Sequence, residues 1–172
     1  MSQINPCEAY ISKAVQMGAS HAVYFAIGDI AFDSRVILKC VFGCADYGRQ
    51  HTCPYQRSPL SMDEYRSVFG NYKNGIIIGC RDKYKSQEIS YEIERAAFLD
   101  GYYFAFSLSD CGLCGECARV CGDDCRFPKK ARPAFHSVGI DVFKTVRRLG
   151  LPIEVLREET DEQHWYSAVF IE

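Results

Sequence analysis

Residues 75–80 read GIIIGC, a short continuous apolar run. Six residues bounded by glycine suit a strand covered on both faces better than a helix. The flanking sequence sharpens that reading. Ser61 followed by Glu64 is a capping-box pattern, and Met62, Tyr65, Val68, Phe69 and Tyr72 continue it at helical spacing. Ile89, Ile93, Ala96 and Ala97 repeat the spacing over 87–99, which Gly101 ends. Helix, buried strand and helix in succession predict an α/β chain, with 75–80 central and parallel in its sheet.

Outward from this centre the alternation continues. Asn5-Pro6 reads as a helix start, and Cys7, Tyr10, Ile11, Ala14 and Val15 form one helical face. Residues 22–27, 35–39, 102–108, 153–156 and 165–171 read as strands, and 140–149 as a helix stopped by Gly150 and Pro152. The predicted fold is α/β: a mixed sheet flanked by helices, one domain over 1–172. Two cysteine-rich loops, about 40–54 and 111–128, follow strand ends, where ligand sites gather in open α/β sheets.

Composition narrows the function. Apolar residues make up 48% and charged residues 24%, which are globular values. A net charge of −2 argues against nucleic acid as the partner. No apolar stretch approaches the ~20 residues of a membrane span, and MSQINPCEAY is not a secretory leader. The expected location is the cytoplasm, where thiols stay reduced. Ten cysteines in such a chain point to metal rather than disulfides.

Eight of the ten are clustered. The second group runs Cys111-x2-Cys114-x2-Cys117-x3-Cys121-x3-Cys125. Three thiolates in seven residues can wrap one face of a cubane cluster, and the first four positions match the bacterial ferredoxin spacing. In that spacing a proline follows the fourth cysteine; here Gly122 stands there. Structural zinc usually takes two C-x2-C pairs separated by a longer gap, and a redox dithiol needs only one pair. Iron–sulfur, as [4Fe-4S], is therefore the expected cofactor, with zinc the alternative.

The first group, Cys40-x3-Cys44-x8-Cys53-Pro54, supplies three ligands and leaves a four-coordinate metal one short. Cys121 could complete it by the crossing of ferredoxin ligands between two clusters. Cys80 and His51 are further candidates, or the position is open to water or substrate. The plainer reading of Cys80 is a buried inert thiol, that of Cys7 core packing, and that of His51 a solvated loop histidine.

These residues together resemble a family of small, cysteine-rich prokaryotic proteins of unknown function, described only as predicted metal-binding. The resemblance rests on Lys39-Cys40 through Cys53-Pro54 with Tyr47-Gly48 inside, and on Cys111, Cys114, Cys117 and Cys125. Arg126-Phe127-Pro128, Ala131-Arg132-Pro133 and Gly139-Ile140-Asp141-Val142 continue it, in order, over roughly residues 35–145. It implies thiolate metal binding in a prokaryotic cytoplasm and no particular reaction. It also implies that Cys125, not Cys121, joins the Cys111, Cys114 and Cys117 trio. The chain departs from the resemblance in CPYQRSP, where Cys-Pro-Pro is expected, and in Cys121 itself.

Residues 126–148 carry seven Lys or Arg against Asp141 alone. The bland account is solvated surface that offsets cluster charge. The sharper one is a docking patch for a redox partner protein, with Lys129, Lys130 and Arg132 as its exposed cations. No Walker A, G-x-G-x-x-G, G-x-S-x-G or H-E-x-x-H pattern occurs. The leading expectation is an electron-transfer protein with two [4Fe-4S] clusters. Its competitors are an enzyme with an open-coordination cluster at Cys40, Cys44 and Cys53, and a zinc-binding structural or regulatory module.

Overall fold

The computed structural model describes residues 7–54, 60–158 and 160–172. The Asn5-Pro6 helix start lies outside them, and CPYQRSP is described only to Pro54.

In chain order the structure runs α1 (Glu8–Gln16), β1 (His21–Ala26), α2 (Ile37–Gly43), α3 (Met62–Phe69), β2 (Asn74–Cys80), α4 (Lys83–Leu99), β3 (Phe106–Leu108), α5 (Val142–Arg148) and β4 (Trp165–Phe170). The four strands form one sheet in the order β1-β2-β4-β3. The α/β class and the flanking helices are as the sequence predicts. The expected mixed sheet and parallel β2 are not: β2 pairs antiparallel with both neighbours, Ile77 facing Val23 on one side and Ala168 on the other. A continuous apolar run requires cover on both faces, and that cover is present without parallel pairing. Ile76 and Ile78 pack with Tyr10, Ala14, Ile89 and Ile93 beneath α1 and α4. Ile77 packs with Phe69, Val146, Ala168 and Phe170 on the opposite face.

Local chemistry sets the helix starts. The Ser61 hydroxyl accepts the Glu64 N–H and the Glu64 carboxylate accepts the Ser61 N–H, so the predicted capping box is formed. Asp82 and Asp141 cap α4 and α5 in the same way, accepting the N–H of Lys85 at 2.7 Å and of Lys144 at 3.0 Å.

Two predicted strands are absent. Residues 35–39 turn through a 3₁₀ segment (Ser34–Val36) into α2, because Asp33 accepts the Arg35 N–H and caps a helical start. Cys40 therefore lies within a helix rather than beyond a strand end. Residues 153–156 form no strand; only Ile153 of that run is buried. Strand 102–108 shortens to Phe106–Leu108.

The sheet's register gathers the cysteine segments at one end. Cys80, which ends β2, lies opposite Trp165, which begins β4. The chain leaving β3 reaches Cys111 three residues after Leu108, at that same end. Backbone hydrogen bonds from Asp33 to Gly139 and from Asp141 to Ala31 tie the segment before α2 to the segment before α5. That tie brings α2 against the 3₁₀ turn Phe135–Val138.

Candidate metal centre

The eight predicted ligand cysteines are all free thiols. Cys40 is buried in α2, Cys44 caps that helix and is exposed, and Cys53 is half-buried. Three successive turns, closed by Tyr47 to Cys44, Arg49 to Asp46 and Cys53 to Gln50, fold the intervening loop back on itself. The result is one cavity of about 310 Å³ lined by Cys40, Cys44 and Cys53 together with Asp110 and Cys111. Burial pushes the Cys40 thiol up to about 11, with the neighbouring charges of Cys44, Cys53 and Asp110 adding to the effect. Metal binding at this site must therefore displace a tightly held proton.

The second group is seated on the first turn of α4. The Gly112 N–H donates to Gln87 Oε1 at 2.8 Å. A Cβ at Gly112 would stand 2.6 Å from the Tyr84 ring, so only glycine lets the loop approach this closely. Cys111, Cys114, Cys117 and Cys125 line a second cavity of about 130 Å³. Gly122, in the place of the ferredoxin proline, has φ 81°, a left-handed conformation closed to proline. The departure from the ferredoxin spacing thus has a conformational reason. Cys121 ends the 3₁₀ turn Ala118–Cys121, is exposed, and lines neither cavity.

The two cysteine loops brace one another. The Arg119 Nε–H donates to the Gly48 carbonyl at 2.8 Å, and His51 Nε2 lies 2.9 Å from the Asp123 carbonyl oxygen. His51 lines the second cavity rather than that of Cys40. Cys80 is buried with Cys7, Ile78 and Ile89 under α1 and α4 and lines neither cavity, as does Cys7.

Among the described residues no three His, Cys, Asp or Glu side chains converge closely enough to hold a single ion. Two buried polar atoms, Gln87 Nε2 and Ser109 Oγ, have no hydrogen-bond partner among those residues, and they flank the start of the second cysteine loop. Neither residue lines a cysteine cavity; what fits a metal is the donor set itself, four thiols along one cavity and three more along the other.

A family model described as "Predicted metal-binding protein (DUF2284)" matches residues 24–171. The chain belongs to that family. As a member it carries both cysteine groups, and all eight of those cysteines, inside the matched span. No curated protein and no solved structure matches the chain.

Sequence reasoning missed several lining residues. Asp110 is not one of them: it flanks the Cys111 motif in the sequence, with nothing there to mark a role, and it lines the Cys40 cavity. Lys83, His136 and Trp165 also line the Cys40 cavity, and no spacing announced them. Arg132 needs a correction: expected as an exposed docking cation, its side chain is only 12% exposed. Its Nε–H donates to Glu94 Oε2 at 2.8 Å, a second nitrogen pairs with Glu94 Oε1, and its guanidinium lies 5.1 Å from the Phe106 ring centroid. Lys129 and Lys130 are exposed as expected. No helix among the described residues is long and apolar enough to cross a membrane.

Proposed function

We propose that this family member is a cytoplasmic iron–sulfur protein that passes single electrons to or from a partner protein. The observation that carries the reading is the sorting of seven cysteines into two adjoining cavities. Four, Cys111, Cys114, Cys117 and Cys125, would hold one centre. Cys40, Cys44 and Cys53 would supply three ligands to a second. The thiols ring their cavities without converging on one point, which suits a multi-iron centre with ligands on its outer corners.

A four-iron cluster, when bound, supplies one-electron chemistry with little change of shape. The chain's own residues do the rest. Cys40 gives up its proton on loading. Asp110, whose charge acts on Cys40, is the described carboxylate best placed to complete that site, since Cys121 and Cys80 line neither cavity. Lys129 and Lys130 form the cationic rim that an acidic partner would meet, raising the rate of encounter.

One observation favours a second reading, an enzyme with an open position at the Cys40 site. A further cleft of about 200 Å³ shares Asp110, Ala134, His136 and Trp165 with the Cys40 cavity, giving a small substrate a route to it.

Two variants test the leading reading. Cys114→Ser and Cys44→Ser should each remove about half the iron and leave the other centre's magnetic resonance signal in place. Cys114→Ser with its iron and spectrum intact would contradict the assignment of the second group. An unsubstituted protein whose spectrum shifts with added small anions would favour the enzyme.

A further inference from the structure

Cys111 lines both cysteine cavities, so the two sites share a wall. Lys83 belongs to that wall. Among the described residues no other Lys or Arg lines either cavity. It is the first residue of α4, placed by the Asp82 cap, and is half-buried. Its ammonium lies 5.4 Å from the Tyr84 ring centroid and 5.6 Å from that of Trp165. The other partly buried cations near the sites among the described residues are committed elsewhere: Arg119 to the Gly48 carbonyl and Arg132 to Glu94. Lys83 forms no ion pair with a described carboxylate, although Asp46 and Asp110 line the same cavities.

The ammonium thus rests near two aromatic rings with its charge matched by no described carboxylate. Seven thiols line the two cavities, and each must become a thiolate to bind metal. The loaded sites concentrate negative charge on both sides of one residue. Coulomb attraction in a partly desolvated wall exceeds that between exposed charges several-fold.

We propose that Lys83 is the charge-compensating residue shared by both thiolate sites, tuning the two centres together. It touches no reacting atom by necessity; it is a positioning residue that acts through the field at its ammonium. The part that concerns reduction rests on the electron-transfer reading above. On reduction the reductant gives up one electron and the loaded site gains one unit of negative charge, with no bond made or broken. Lys83 favours that added charge at either site. The part that concerns metal retention applies to any thiolate-bound divalent metal.

The test uses the full chain with Lys83→Met, Lys83→Arg and, as a control on α1 that lines neither cavity, Lys13→Gln. The first measurement is a redox titration of the iron-loaded proteins with dithionite. Lys83→Met should lower the reduced-to-oxidised ratio of both centres about tenfold at a fixed ambient potential. Lys83→Arg should restore most of it, and Lys13→Gln should leave both centres unchanged. The second measurement is Co2+ affinity of the metal-free proteins by competition with a chelator, read from the thiolate charge-transfer absorption. Lys83→Met should lose about tenfold at both sites. Wild-type protein without iron or sulfide, but with that Co2+ loss in Lys83→Met, would end the electron-transfer reading and leave the role of Lys83 standing. Iron-loaded Lys83→Met with unchanged ratios and unchanged Co2+ affinity would overturn the role of Lys83 and leave the cluster reading standing. A loss at one site alone would overturn the shared role.

Discussion

Cys7 and Cys40 are both buried thiols with affinities for the proton raised to about 11, yet they stand in different surroundings. Cys7 is packed in the core with Tyr10 and Ile78, and its shift comes from burial and then from Glu172. The Cys40 shift comes from burial first and then from two other thiols and a carboxylate, Asp110. Both are protonated in the native state over a pH range where the unfolded chain has lost the proton. Their contribution to stability is therefore full below about pH 9 and lost as pH rises toward about 11. Denaturation midpoints of the metal-free protein should fall over that window, and Cys7→Ala should flatten the fall. A midpoint that holds constant from pH 9 to 11 would show that neither thiol is held in its neutral form.

The elements explain how much of the site was legible. The second cysteine group is local: its spacing gathers the Cys111, Cys114 and Cys117 trio, the resemblance rather than the spacing adds Cys125 in place of Cys121, and the structure lines one cavity with all four. The first group is only half local. Cys40 was read as lying past a strand of β-branched residues, but the Asp33 cap starts a helix there, a side-chain hydrogen bond outweighing a weak strand propensity. What brings Cys40 to Asp110 is the long-range tie between residues 31–33 and 139–141, which no spacing in the sequence expresses. Nor does any pattern announce that α4 carries the second loop. That contact makes a prediction at this scale. Gly112→Ala would drive a methyl group into the Tyr84 ring and strain the Gly112-to-Gln87 hydrogen bond. The variant should fold, since the loop lies outside the sheet, but should lose most of the metal of the second site. Adding Tyr84→Ala should recover part of it. Metal content unchanged in Gly112→Ala would show that the loop does not depend on this seat.

For the whole molecule, the fold sets one electropositive rim apart from one structural ion pair, although the sequence runs them together as a single basic stretch. The Arg132–Glu94 pair ties the segment after the second cysteine loop to α4, and Glu94 also accepts the Ser107 N–H of β3 at 2.7 Å. Removing one partner of a nearly buried pair leaves the other uncompensated, so Arg132→Met should cost about 3 kcal/mol in chemical denaturation. Lys129→Gln with Lys130→Gln should cost almost no stability, and should instead slow electron transfer from an acidic donor and weaken its dependence on salt. A stable Arg132→Met variant with slowed transfer would reverse these assignments.

Iron and acid-labile sulfide in anaerobically purified protein test the account most directly, measured together with the visible spectrum. Two centres predict about eight irons per chain with matching sulfide and a broad absorption that bleaches on reduction. Zinc without sulfide, at one or two atoms per chain, would contradict the electron-carrier account outright.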